Sequence, residues 1–126
     1  GMMATTTVYF DGLCPVCSRE VALYRRLVSP DRMSWRDLAS GPAALTDESF
    51  DLEAALSLLH VRDRAGRLHI GLTAHLVMWD ELPVLKWLAA LLRHYPRLRR
   101  AFERGYLAFT ARRPGLRRRR QGGSDA

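Results

Sequence analysis

Cys14 and Cys17 are the only two cysteines in the chain, and two residues, Pro15 and Val16, separate them. The stretch Tyr9-Phe10-Asp11-Gly12-Leu13-Cys14-Pro15-Val16-Cys17 follows a run of β-formers and precedes a helix-type run. A dithiol is thereby set at the N-terminus of a helix, which favours redox chemistry. The thiolate is the reactive form of cysteine, and the free N–H groups and dipole of a helix N-terminus stabilise it. Attacking thiols so placed have pKa values of roughly 3.5 to 7.5, against about 8.5 for a free cysteine. Pro15 suits the first helical position, where its φ is already set and its missing N–H costs nothing. Cys14 is then expected at the N-cap, exposed and with a lowered pKa. Cys17 follows one turn on, close enough to close a disulfide. Cys14 attacks and Cys17 resolves the mixed disulfide.

Zinc is the main competitor for the two thiols. A structural zinc site needs four ligands. There is no second cysteine pair, and His60, His69, His75 and His94 lack zinc-finger spacing. His69 and His75 could meet in space without support from their spacing. An iron–sulfur cluster shared between two chains is a remote third reading. The redox reading is preferred, with no metal and no cofactor expected.

The elements around the motif must position it. Residues 5–10 read as the first strand, in the sheet interior. Gly12 allows the turn. Residues 15–28 form the first helix, with Cys17, Val21, Tyr24 and Val28 on one buried face and Leu27 beside them. Ser18, Arg19, Arg25 and Arg26 point outward. Asp11 has two readings. Its carboxylate accepts the Cys17 proton, directly or through water, or it caps the turn by accepting backbone N–H groups. A carboxylate close to Cys14 would also raise that thiol's pKa.

The Asp11-Gly12-Leu13-Cys14-Pro15-Val16-Cys17 run, after Val8-Tyr9-Phe10, resembles the DCC family of thiol-disulfide oxidoreductases. That family takes its name from Asp-x-x-Cys-x-x-Cys, matched by Asp11, Cys14 and Cys17. Leu59-His60-Val61-Arg62-Asp63 with Gly66, then Gly71 and Ala74 ahead of an apolar helix with Trp79 and Pro83, resembles the family's second block. The likeness runs from about residue 7 to about residue 113. The Cys-Pro-x-Cys form is also similar to glutaredoxins. The resemblance implies an α/β fold: a thioredoxin-like three-layer sandwich, with a central mixed sheet of about four strands and a helical C-terminal extension. Thioredoxins and glutaredoxins place a cis-proline just before the third strand. No proline lies between Pro42 and Pro83, so an aliphatic residue near Ala54, Ala55 and Leu56 is expected there.

The rest of the chain fits that order. Met33 to Leu38 alternates as a second strand, parallel to the first. A loop with Gly41 and Pro42 leads to a short helix over residues 47–54 capped by Thr46. Residues 56–62 form a strand covered on both faces. Asp63-Arg64-Ala65-Gly66 turns it back as a hairpin with residues 67–70. Gly71-Leu72-Thr73 enters a helix with Thr73 as N-cap. Helical segments follow over 74–82, 83–95 and 96–111, the last with Leu98, Phe102, Tyr106 and Phe109 on one face. These segments pack on the sheet or on each other; a membrane or partner surface around Trp87 is the alternative.

The chain has 126 residues, one domain's worth, and a net charge of +7. Residues 1–4 read as a tag scar and flexible start, residues 5–111 as the domain, and residues 112–126 as a basic, disordered tail. The excess charge lies in that tail and in the arginines just before it. No base-reading motif is present, so no specific nucleic-acid partner is expected. No basic and apolar leader opens the chain. Two cysteines are too few for a secreted disulfide framework, so a reducing, cytoplasmic setting is expected.

The reading is a thiol-disulfide oxidoreductase with catalytic Cys14, Cys17 and Asp11. Gly12, Leu13, Pro15 and Val16 contact substrate, and Leu72 and Thr73 form a second wall. Partners are a disulfide-containing protein or small thiol, and an external thiol reductant such as thioredoxin or glutathione. The alternative is a non-catalytic binding module with a regulatory thiol pair and an arginine-rich helical surface for a partner or an anionic membrane.

Overall fold

A computed structural model describes the backbone of residues 5–125 and the side chains of residues 5–115. The expected scar at residues 1–4 lies outside the described residues, as do the side chains of most of the expected tail.

Strand β1 (Thr6–Phe10) organises a four-stranded sheet of order β2-β1-β3-β4. β2 (Met33–Asp37) runs parallel to β1, with Phe10 opposite Asp37. β3 (His60–Arg62) is antiparallel to β1, with Val8 opposite Val61, and β4 (Leu68–Ile70) pairs antiparallel to β3. Helix α1 (Pro15–Leu27) makes the crossover from β1 to β2. α2 (Leu52–Ser57) precedes β3; α3 (Leu72–Trp79), α4 (Leu85–His94) and α5 (Pro96–Asp125) follow β4.

Successive strand residues face opposite sides of a sheet, and each side has its own core. Val8 and Val61 pack with Tyr24 and Val28 of α1 and with Ala74 and Met78 of α3. Tyr9 turns the other way, to Leu38, Leu45, Ala55 and Phe50. Leu76, Ala89 and Leu92 join α3 to α4, and Leu98 of α5 packs against them. The result is the thioredoxin-like sandwich with a helical C-terminal extension.

Several boundaries differ from expectation. The short helix starts at Leu52, where Asp51 Oδ1 accepts the Ala54 N–H at 2.9 Å. Thr46 is not its cap. Glu48 is instead drawn to the sheet, taking hydrogen bonds from Tyr9 Oη and, at 2.7–3.0 Å, from the Arg62 guanidinium. Because α2 extends to Ser57, the third strand is shorter, and Leu58 and Leu59 lead into it rather than Ala54, Ala55 and Leu56. Thr73 is not the cap of α3 either. Gly71, at φ +77, takes that position, which its lack of a Cβ permits.

Helix α5 does not end near residue 111. It is recorded to Asp125, and Arg113 within it is buried. Tyr106 fastens α5 to the sheet: the Leu59 N–H donates to its hydroxyl at 2.7 Å, while the Leu59 carbonyl accepts the Gly71 N–H at 2.9 Å. Both polar groups leading into β3 are thereby satisfied. Tyr106→Phe leaves the Leu59 N–H without its partner and is expected to lower unfolding free energy by about 1–3 kcal/mol. Denaturant titration would check this, with the midpoint falling and the slope unchanged.

Candidate functional site

The turn from β1 into α1 is built from its own polar groups. The Asp11 carbonyl accepts the Cys14 N–H at 3.1 Å, and Asp11 Oδ1 accepts the Leu13 N–H at 3.0 Å. Gly12 N–H donates to Asp37 Oδ1 at 2.9 Å, from the end of the parallel strand β2. A Cβ at position 12 would lie 2.3 Å from both Asp37 carboxylate oxygens, so any larger residue would displace that carboxylate. Asp11 therefore performs the turn-capping role. Its side chain also lines the cavity beside Cys17, so the geometry leaves its second role standing.

Cys14 is the N-cap of α1, with Pro15 following at the first helical position. The Cys17 N–H points at Cys14 Sγ, 3.5 Å away. Ser18, expected to point outward, donates instead to the carbonyls of Gly12 at 3.1 Å and Cys14 at 2.6 Å. It ties the turn to the helix, a back-bonding role open to any serine four residues past an N-cap.

The exposures of the two cysteines are the reverse of expectation. Cys14 is 0% exposed, whereas Cys17 is only partly buried. The N-cap geometry turns Cys14 Sγ inward over the first helical turn. Cys17 lies on the face of α1 that meets α3 and α5, where a small cavity opens. Both are free thiols, and a hydrogen bond links them. Burial pushes the Cys17 thiol well up, its hydrogen bond to Cys14 and the Cys14 charge add to this, and the Arg113 charge opposes it.

The cavity holds about 40 Å³. Asp11, Cys17, Glu20, His75, Tyr106 and Arg113 give it polar groups from three helices and the turn, and Val8, Val21, Leu59, Met78 and Phe109 close it. A wider, open groove of about 510 Å³ adjoins it along α3 and α5, sharing Glu20, His75 and Tyr106. Burial raises the Glu20 pKa, partly offset by the hydrogen bond from Tyr24. Burial pushes His75 down to about 4; its ring lies edge-on to Trp79 and Tyr106, and Nδ1 lies 3.3 Å from the Gly71 carbonyl.

Asp11, Gly12, Leu13, Cys14, Pro15, Val16 and Cys17 thus share one turn, with Val16 47% exposed beside the thiols. Leu72 and Thr73, expected as a second wall, open helix α3. Leu72 lines the open groove, and Thr73 Oγ1 accepts a hydrogen bond from Arg99 at 3.4 Å, so neither lines the cavity at Cys17. The cavity wall from α3 is His75, one turn further on. Glu20, His75, Tyr106 and Arg113 escaped the sequence reading. Glu20 carried a signal, being three residues from Cys17 and so on its face. Arg113 carried none within a run of arginines. Among the described residues, no group of three or more His, Cys, Asp or Glu side chains is placed to hold a metal ion.

Fold and turn together define a thioredoxin-like protein with a dithiol at the start of its first helix. The DCC1-like thiol-disulfide oxidoreductase family matches residues 8–119, nearly the whole chain, and the chain belongs to that family. Neither curated proteins nor solved structures give a match.

His75 gives this site a pH signature. Its folded pKa, about 4, lies below the ordinary 6.5, so the unfolded chain takes up a proton that the folded chain refuses. Stability is then full above pH 6.5 and falls as pH drops towards 4, by up to ~3 kcal/mol. His60, lowered by burial as well, adds in the same direction. Unfolding midpoints measured from pH 7 to 5 are expected to decline, and His75→Phe is expected to flatten the decline.

Proposed function

We propose that the chain exchanges disulfides through Cys14 and Cys17, with Cys14 attacking and Cys17 resolving. The observation that carries this is the Cys17 N–H directed at Cys14 Sγ at the N-terminus of α1. The N-terminal end of the helix dipole and that N–H are both directed at the Cys14 sulfur. Cys17, pushed up by burial, stays a thiol until it is needed.

In the exchange, the Cys14 thiolate attacks one sulfur of a substrate disulfide and the other sulfur leaves as a thiolate. Cys17 then loses its proton and attacks Cys14 Sγ. The second substrate thiolate leaves, and a Cys14–Cys17 disulfide remains. Substrate is thereby reduced by two electrons, and an external thiol of the thioredoxin or glutathione class restores the pair. Substrate is a protein disulfide or a small one. Cys14 is enclosed in the reduced protein, so attack follows a local opening of the turn at Gly12, Leu13, Pro15 and Val16. Asp11 holds that turn through the Leu13 N–H and lines the cavity at Cys17.

Redox titration against glutathione, read by mass after alkylation, tests this reading. A two-electron transition between about −270 and −120 mV is expected, the span of related dithiols. Cys14→Ser and Cys17→Ser should each abolish it, and Cys17→Ser should accumulate a mixed disulfide. No intramolecular disulfide at any poise would remove the reading.

A second reading concerns α4. Val84, Trp87, Leu91 and Tyr95 are 76%, 70%, 43% and 52% exposed at helical spacing. Val84 sits at φ +67, costly for a β-branched residue, and that turn presents it outward. Lys86 Nζ lies 5.4 Å from the centre of the Trp87 ring. Among the described residues no helix is long and apolar enough to cross a membrane, so a stripe of this kind suits peripheral contact with anionic lipid. Phosphatidylserine vesicles should co-sediment the protein at low salt. Trp87→Ala with Leu91→Ala should cut the bound fraction about tenfold, and equal binding by that variant would exclude the contact.

A further inference from the structure

Cys17 cannot close the disulfide as a thiol, and the fold holds it as one. Two polar groups of its cavity, Glu20 and Arg113, can act on that thiol. Glu20 lies one turn beyond Cys17 on α1 and faces the same cavity. Its Oε1 accepts the Tyr24 hydroxyl at 2.9 Å, and the Tyr24 oxygen in turn accepts the Trp79 indole N–H at 3.1 Å. That chain fixes the carboxylate from two helices. Arg113 reaches the cavity from α5 and is 6% exposed. Its Nη2 is buried with no hydrogen-bond partner among the described residues. An unused donor on a buried cation is expensive to keep, and a thiolate forming in the same cavity would supply an acceptor for it.

We propose that Glu20 and Arg113 serve the resolving half of the exchange: Glu20 takes the proton of Cys17 across the cavity, and Arg113 holds the resulting thiolate until it attacks Cys14. This rests on the exchange proposed above. The proton passes from Cys17 Sγ to the Glu20 carboxylate, through a space of about 40 Å³, room for about one water. The freed electron pair on Cys17 Sγ forms the bond to Cys14 Sγ. The pair of the broken bond leaves with the substrate sulfur, and Glu20 then returns its proton to that thiolate or to solvent.

The other groups facing Cys17 are less suited. Cys14 is engaged in the mixed disulfide. Asp11 Oδ1 already accepts the Leu13 N–H. His75 from α3, at about 4, is the weaker base, because burial that raises a carboxylate lowers an imidazole. Tyr106 from α5 is a donor or acceptor of hydrogen bonds here, with its oxygen already taking the Leu59 N–H. Arg113 is the only cation among these lining groups, and its field lowers Cys17, His75 and Tyr106 alike.

The test is stopped-flow reaction of the reduced full chain with an aromatic disulfide whose released thiolate absorbs visible light. The first release reports Cys14 attack and the second reports resolution by Cys17. Glu20→Gln, nearly isosteric, should leave the first phase unchanged and slow the second about 100-fold at pH 7. The deficit should shrink as pH rises, when solvent base takes over. Arg113→Met should slow the second phase and move its half-rate pH upward by about 1, and Arg113→Lys should restore most of it. A second phase with wild-type rate and pH profile in both Glu20→Gln and Arg113→Met would overturn the proposal. Wild-type protein with one release only, and no Cys14–Cys17 disulfide by mass, would instead overturn the exchange reading on which it rests.

Discussion

The Asp37 carboxylate fills the space a Cβ at position 12 would enter. That carboxylate also accepts the N–H groups of Gly12 and Ala39. One acidic side chain at the end of β2 thus sets the path by which β1 enters α1. The position of Cys14 at the N-cap, the aim of the Cys17 N–H and the face on which Cys17 lies all follow from that path. The parallel pairing of Phe10 with Asp37 is what brings the carboxylate there, so the dithiol turn depends on a sheet contact between residues far apart in the chain.

The opposite wall of the site belongs to the C-terminal helix. Tyr106 anchors α5 at the entrance to β3, and Arg113, two turns later, enters the cavity of Cys17. The extension is therefore not an ornament on a finished domain. It places a cation where burial would otherwise make a thiolate costly. It also takes the N–H of Leu59, a backbone group at the entrance to β3.

Much of this was legible in the residues. The β-branched run, Gly12, Pro15 and the thiol spacing gave the strand, turn and helix, and Asp63 with Gly66 marked the hairpin, since turn chemistry is local. The resemblance to the DCC family held over the chain. The exposures of Cys14 and Cys17 were not legible, because a helical wheel gives direction and not depth, and an N-cap residue lies off the wheel. The helix at residues 47–54 failed because Glu48 had a stronger claim, to Tyr9 and Arg62, which only the folded sheet brings near. Arg113 was hidden among arginines of identical chemistry. What distinguishes it is where α5 docks, a long-range fact. Thr73 looked like a cap by type, whereas Gly71 had the backbone freedom the turn needed.

The distance along the chain between Cys17 and Arg113 has a consequence for biosynthesis. At ordinary translation speeds, ~5–20 s separate the emergence of the two positions. During that interval the thiols exist without the helix that later walls their cavity, and β3 lacks the hydroxyl that receives the Leu59 N–H. A nascent chain therefore presents a more open and chemically simpler cysteine pair than the finished protein does. During that window the pair meets oxidants and disulfides without the cavity walls that docking of the last helix supplies.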